Sequence, residues 1–134
     1  MTASRTSLLV GALLLLFALP VISADEAEEK KPLQYFELKP SVVANMQKGA
    51  KYIRTDIQLM TRADESLEEI TLHAPALRHE LFLLISEQEG SKLKEPKGKE
   101  AFRKIALKSL QKVMMDLTGK GAIDDLYFTS FFVQ

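Results

Sequence analysis

Cysteine is absent from this chain of 134 residues. Without thiols the protein can form no disulfide, hold no zinc–thiolate or iron–sulfur site, and carry out no thiol catalysis. The absence of free thiols also suits an oxidising compartment. The chain has no excess of either charge, since 18 basic residues balance 18 acidic ones. Electrostatic capture of nucleic acid needs a basic excess, so nucleic acid is not an expected partner.

Histidines are scarce, and no catalytic motif is recognisable. His73 and His79 are the only two, six positions apart in a predicted helical region. Two metal ligands on one helix need a spacing of three or four, so no metal site is predicted. No serine lies in a nucleophile-elbow context, and Gly90 and Gly98 have the wrong spacing for a phosphate-binding loop. We therefore predict no enzymatic activity and no cofactor.

One long apolar run lies at the amino-terminal end. Residues 1–24 combine the positive charge of Arg5 with an apolar stretch at residues 8–22 that contains Pro20. This layout is typical of a secretory signal with cleavage near Ala24. The alternative is an uncleaved membrane anchor, although a spanning helix needs about 20 apolar residues. Both interpretations place the rest of the chain outside the cytoplasm.

The remaining residues are predicted to form a short linker and one domain. Residues 25–34 are rich in charge and contain a proline, as is typical of a solvated linker. Apolar periodicity in residues 35–134 predicts strands, then helices, then a strand. This order favours a single small α+β domain, with an antiparallel or mixed sheet packed against two or three helices. The predicted strands are 35–38, 42–46, 51–61 and 124–133, and the clearest helix covers 99–117 and ends at Gly119.

The sequence also predicts where the helices begin and where they are interrupted. Thr61 is a candidate N-cap, and Pro75 either kinks the first helix or begins a second one. Residues 90–98 are predicted to be a loop.

Both faces of the last strand are apolar, with Leu126, Phe128 and Phe132 on one and Tyr127, Thr129, Phe131 and Val133 on the other. That pattern predicts a strand inside the sheet or under the long helix, not at an exposed edge. The predicted apolar stripe of the long helix comprises Phe102, Ile105, Ala106, Leu110, Val113 and Leu117.

Two stretches are candidate interaction surfaces. Lys104, Lys108 and Lys112 recur every four residues on the long helix. Such a row is either a solvated helix face or a contact for an acidic partner or anionic lipid. The stretch containing Leu81, Phe82 and Leu83 is apolar almost all round the preceding helix, so it forms either core or a contact between subunits.

Five stretches in order resemble the flagellar basal body-associated FliL family over residues 34–134. They are "YFELKPSVVANM", "YIRTDIQLMTR", "HAPALRHELFLLIS", "EPKGKEAFRKIAL" and "IDDLYFTSFFVQ". The resemblance implies a stomatin-like domain in the periplasm that assembles around the stator units of the flagellar motor and supports motility and chemotaxis. It implies stator or basal-body proteins and further copies of the chain as partners, and no catalytic residues.

The amino-terminal end departs from the family pattern, in which a full membrane-spanning helix precedes a longer linker. The short apolar run here suggests a secreted, signal-bearing paralogue. The protein is then expected either soluble in the periplasm after cleavage near Ala24 or anchored to the inner membrane by residues 8–22. A free periplasmic binding or scaffold protein, unrelated to the motor, is the alternative function.

Overall fold

A computed structural model describes residues 31–62 and 64–134. The predicted signal or anchor at residues 1–24 and most of the predicted linker lie outside the described residues. An antiparallel four-stranded sheet and three helices confirm the α+β prediction. Within the described part of the chain, no helix is long and apolar enough to span a membrane. The elements are β1 (Gln34–Glu37), β2 (Val42–Asn45), β3 (Tyr52–Thr61), α1 (Asp64–Ser86), α2 (Gly90–Leu93), α3 (Pro96–Thr118) and β4 (Asp125–Val133).

The long strand β3 is the centre of the sheet. β4 pairs with β3 over residues 53–60, so it occupies one whole edge of that strand. β1 pairs with residues 58–61 of β3 and β2 with residues 52–55. Because β4 already fills the other edge, β1 and β2 lie end to end along the same edge of β3. The sheet is therefore three strands wide, and β1 and β2 share one outer edge.

The alternation of β3 determines where the core lies. Ile53, Thr55, Ile57 and Leu59 are fully buried on one face, as period-2 alternation predicts. Helices α1 and α3 cover this face, each with a buried stripe at helical spacing. The stripe of α1 contains Ile70, Leu77, Leu81 and Ile85, and that of α3 contains Phe102, Ala106, Leu110 and Met114. Ile105 and Leu117 are each 49% exposed, so their assignment to the stripe of the long helix was wrong.

β4 packs under α3, as one of the two predicted alternatives states, but it is also an edge strand, which the prediction excluded. Among the described residues it pairs only with β3, and Phe132 is 52% exposed. A bulge also changes which side chains share a face, because Asp56 pairs with Ser130 whereas Ile57 pairs with Phe128. The extra residue, Thr129, shifts the alternation by one position. Leu126, Phe128, Phe131 and Val133 therefore lie on the core face, and Tyr127 and Phe132 lie on the opposite face.

The start of α1 differs from prediction, and one of the two alternatives for Pro75 is not observed. Thr61 is the last residue of β3 and not an N-cap, because α1 begins at Asp64. Pro75 lies inside α1 and does not begin a second helix. The Thr71 carbonyl loses its helical partner there, but both positions are exposed and water can satisfy it. Gly119 ends α3 in the left-handed conformation, with φ of 77°, as predicted.

The predicted loop at residues 90–98 instead contains α2 and the first turn of α3. Its glycines fit because neighbouring backbone lies very close to them. A Cβ on Gly98 would lie 1.9 Å from the Lys92 carbonyl oxygen, and one on Gly90 would lie 2.3 Å from the Ala50 Cβ. Close packing between chain segments, not turn geometry, is what requires glycine at these two positions.

Candidate interaction surfaces

The three predicted lysines lie exposed on the outer side of α3. Lys112 donates to Asp116 at 2.7 Å, and this hydrogen bond raises the Lys112 pKa. Lys104 and Lys108 form no ion pair with any other described residue. Two of the three charges are therefore free to meet an external partner.

The apolar candidates Leu81, Phe82 and Leu83 separate around α1. Leu81 is fully buried, so of the two interpretations of this stretch the core one applies to it. Phe82 and Leu83 are each 43% exposed, but successive helical residues point about 100° apart. Leu83 lies one turn after Glu80, whose carboxylate accepts a hydrogen bond from Ser109 of α3. It therefore faces the seam between the two long helices, whereas Phe82 faces β2.

Ile105 of α3 lies one turn before Ser109, on the same seam. We call Lys104, Lys108, Lys112, Leu83 and Ile105 the helix-layer surface. It combines a row of positive charge, which can attract an acidic partner, with two half-exposed apolar side chains.

Sequence reasoning missed a polar cluster beside β4. Arg103 of α3 binds Glu100 at 2.7 Å and Asp125 at 2.6 Å. It also donates to the Leu126 carbonyl at 3.1 Å. That carbonyl lies on the outer edge of β4, so Arg103 caps part of the open edge. Only the spacing Glu100–Arg103, a helical i,i+3 pair, could have been found from sequence.

The cluster shifts several pKa values. The hydrogen bond from Arg103 lowers the pKa of Glu100, and the bond to Glu100 is the largest cause that raises the pKa of Arg103. Burial acts to raise the pKa of Asp125, but hydrogen bonds and the Arg103 charge outweigh burial and lower that pKa. The Tyr127 pKa is raised by its hydrogen bond to Asp125. All four groups therefore hold their neutral-pH protonation states.

We expect the Arg103 cluster to make stability depend on acidity. Because the folded pKa values of Asp125 and Glu100 lie below the unfolded ones, their contributions are present at neutral pH and are lost below about pH 4. Asp125→Asn should cost about 1 kcal/mol of unfolding free energy at pH 7 and much less at pH 3. Urea denaturation at the two pH values measures this. Asp116→Asn, which breaks only the exposed pair with Lys112, is the control and should change little at either pH. Equal losses for Asp125→Asn at pH 7 and pH 3 would contradict the assignment.

The other outer edge of the sheet carries a groove. The Arg78 guanidinium donates to the Pro40 carbonyl at 3.1 Å and caps the edge where β1 ends and β2 begins. Beyond that point, the open edge of β2 faces α1 across two adjoining hollows of about 350 and 250 Å³. Both hollows are lined by Val43 and Phe82. We call this region, lined by Val43, Asn45, Met46, Arg78, His79, Phe82 and Ser86, the edge groove.

Within residues 31–62 and 64–134, no three His, Asp or Glu side chains lie close enough together to hold a metal ion. His79 is exposed and His73 half-buried on α1. The described surfaces therefore offer charge, apolar side chains and open strand edges, which suit contacts with other macromolecules.

Two comparisons with known proteins bear on the function. The family model described as "Flagellar basal body-associated protein FliL" matches residues 35–134. The chain is also similar to "Flagellar protein FliL" of Aquifex aeolicus (strain VF5), with 25% identity over 101 residues. That alignment covers 74% of this chain and 60% of the relative. The chain thus matches somewhat less than two thirds of the length of that curated relative.

Proposed function

Because the chain belongs to the flagellar basal body-associated protein FliL family, whose model covers residues 35–134, we propose that it is a non-enzymatic accessory of the flagellar motor. In this proposal the domain lies in the periplasm, associates with stator or basal-body proteins and with copies of itself, and supports swimming and chemotaxis. The family match carries the proposal. The helix-layer surface supports it, because an exposed basic row beside apolar side chains suits a protein contact.

The segment before the domain determines how the protein reaches the motor. We propose that residues 1–24 direct export, either as a signal cleaved near Ala24 or as an inner-membrane anchor formed by residues 8–22. Amino-terminal sequencing of the mature protein, with fractionation of the cells, distinguishes the two. Release by osmotic shock with a new amino terminus near Asp25 indicates a tether-free protein, which must reach the motor by protein contacts alone.

Reversal of charge on the helix-layer surface should weaken association with the motor. Changing Lys104, Lys108 and Lys112 together to Glu should reduce binding to isolated basal bodies about tenfold at low salt and less at high salt. The fold should survive, because like charges at i,i+4 cost only a few tenths of a kcal/mol each. The same effect can be measured in cells that lack the native gene. The readouts are the fluorescent foci that a labelled variant forms at motors and the swimming radius.

The matched control changes the same three lysines to Gln, which removes charge without reversing it. The Gln variant should fall between the native chain and the Glu variant. If deletion of the gene leaves swimming unaltered and no foci form at motors, the motor role is excluded and the alternative of a free periplasmic binding or scaffold protein is favoured.

A further inference from the structure

The outer edge of β2 presents backbone groups that no described strand uses. The Leu38 N–H donates to the Ile57 carbonyl of β3, and the Met46 N–H donates to the carbonyl of Lys51, which directly precedes β3. Odd-numbered residues on this side therefore bond toward β1 and β2. In an antiparallel ladder the alternate residues of a strand direct their N–H and C=O groups to opposite sides. Val42 and Ala44, which pair with Thr55 and Ile53, therefore bond inward, and the peptide groups of Val43 and Asn45 point outward.

The two outer edges of the sheet differ in how far side chains cap their backbone groups. On β4, Arg103 caps the Leu126 carbonyl and the Lys99 ammonium lies 4.7 Å from the centre of the Phe131 ring. On the opposite edge, Arg78 caps the bend between β1 and β2 through the Pro40 and Ser41 carbonyls. No such cap reaches Val43 or Asn45 in the described part of the chain. Natural edge strands are normally blocked by charge, proline or a covering element, so the edge of β2 is open by comparison.

The edge groove provides walls as well as backbone groups. Phe82 of α1 lines both hollows of the groove and is 43% exposed. Ser86, one turn further along α1, closes the far side, although its hydroxyl already donates to the Phe82 carbonyl. A helix running beside an open strand edge can hold an extended segment between them, with backbone bonds on one side and apolar contact on the other.

Charge selects the kind of segment that fits. Of the side chains that line the groove, only those of Arg78 and His79 can carry charge, and no carboxylate lies among them. Arg78 uses its Nε and one terminal nitrogen on backbone carbonyls, which leaves further N–H donors for a ligand. The groove is thus apolar at its centre and positive at one end.

We propose that the edge groove binds an extended, acidic segment of a partner protein as an added strand beside β2. In this arrangement the segment bonds to the outward peptide groups of Val43 and Asn45, places an apolar side chain against Phe82, and directs a carboxylate to Arg78. The inference rests on the proposed function only in requiring a protein partner. The binding test below is independent of swimming, so each can fail without the other.

A capped peptide of alternating valine and glutamate is the probe. Its binding to the full-length chain in detergent micelles is measured by fluorescence anisotropy of a labelled peptide. Phe82→Ala should weaken binding about tenfold, as expected for an aromatic anchor. Val43→Pro removes an outward N–H and should abolish binding, while the inward ladder remains, because proline is tolerated on edge strands. The corresponding valine–lysine peptide should bind at least about tenfold more weakly, since Arg78 repels it.

Leu72→Ala is the matched control, because Leu72 is an exposed apolar residue of the same helix and lies outside both the groove and the helix-layer surface. It should leave the affinity unchanged. Hydrogen exchange at the Val43 and Asn45 amides should slow when the probe binds, which keeps the test valid if Val43→Pro does not fold. The proposal is overturned if the native chain does not bind the probe, if both peptides bind equally, or if Phe82→Ala and Leu72→Ala weaken binding equally. It is also overturned if Phe82→Ala instead disrupts self-association in sedimentation, because the groove then holds a second copy.

Discussion

Replacement of Phe102 with alanine is expected to lower the free energy of unfolding by about 3–5 kcal/mol. Phe102 is 1% exposed, and its ring stacks on that of Phe128 with the ring centres 5.8 Å apart. It therefore joins α3 to β4, whose only strand contact among the described residues is β3. Small domains are stable by about 5–15 kcal/mol in total, so this variant should lie close to unfolding. The urea midpoint, followed by circular dichroism, gives the value.

Ile105→Ala on the same helix is the control for this prediction. Ile105 is 49% exposed, so its truncation should cost less than about 1 kcal/mol. A double-mutant cycle of Phe102 and Phe128 should show a coupling of about 0.5–1.5 kcal/mol from the stacked rings. Equal losses for Phe102→Ala and Ile105→Ala would mean that α3 does not pack on the sheet through Phe102.

Gly98→Ala is expected to destabilise the domain by about 1–3 kcal/mol or more. An isolated helix would predict the opposite sign, because alanine is favoured over glycine by about 1 kcal/mol in a helix. The new Cβ would lie 1.9 Å from the carbonyl oxygen and 2.7 Å from the carbonyl carbon of Lys92. These atoms belong to the backbone, so no side-chain rotation relieves the overlap, and α2 must move away from α3. Thermal denaturation gives the sign directly.

Gly121→Ala is the matched control, because no heavy atom lies within 4 Å of a Cβ built there. Its melting temperature should match that of the native chain within the error of the measurement. A Gly98→Ala variant more stable than the native chain would show that α2 and α3 are not in contact at this point.

Much of the architecture could be predicted from residue periodicity alone. The alternation along Tyr52–Thr61 marked β3, and the spacing of Phe102, Ala106 and Leu110 marked the buried side of α3. Such patterns are local consequences of which face is buried. The errors arose where a distant contact decides the outcome. The bulge at Thr129 depends on how β4 meets β3, and the first turn of α3, which begins at Pro96, packs at Gly98 against the Lys92 backbone.

The interaction surfaces were only partly predictable for the same reason. Spacing alone placed Lys104, Lys108 and Lys112 on one exposed side of α3. It could not distinguish Leu81, which is in the core, from Phe82, because a helix that is apolar almost all round does not show which of its sides faces the core. Nor could it show that Arg103 is tied to Asp125, or that β2 has an open edge. Those features exist only once the chain has folded back on itself.

The ladder between β3 and β4 has a consequence for the order in which the domain folds. It pairs Met60 with Asp125 at one end and Ile53 with Val133 at the other. All three helices lie between these two strands in the sequence. Because the chain is synthesised from its amino end, both long helices can form well before β4 is available to pair with β3. Contacts this distant in sequence slow folding relative to a helical bundle of equal size. During that interval β3 exposes an unpaired edge, and a chaperone that holds the nascent chain would protect this strand from aggregation.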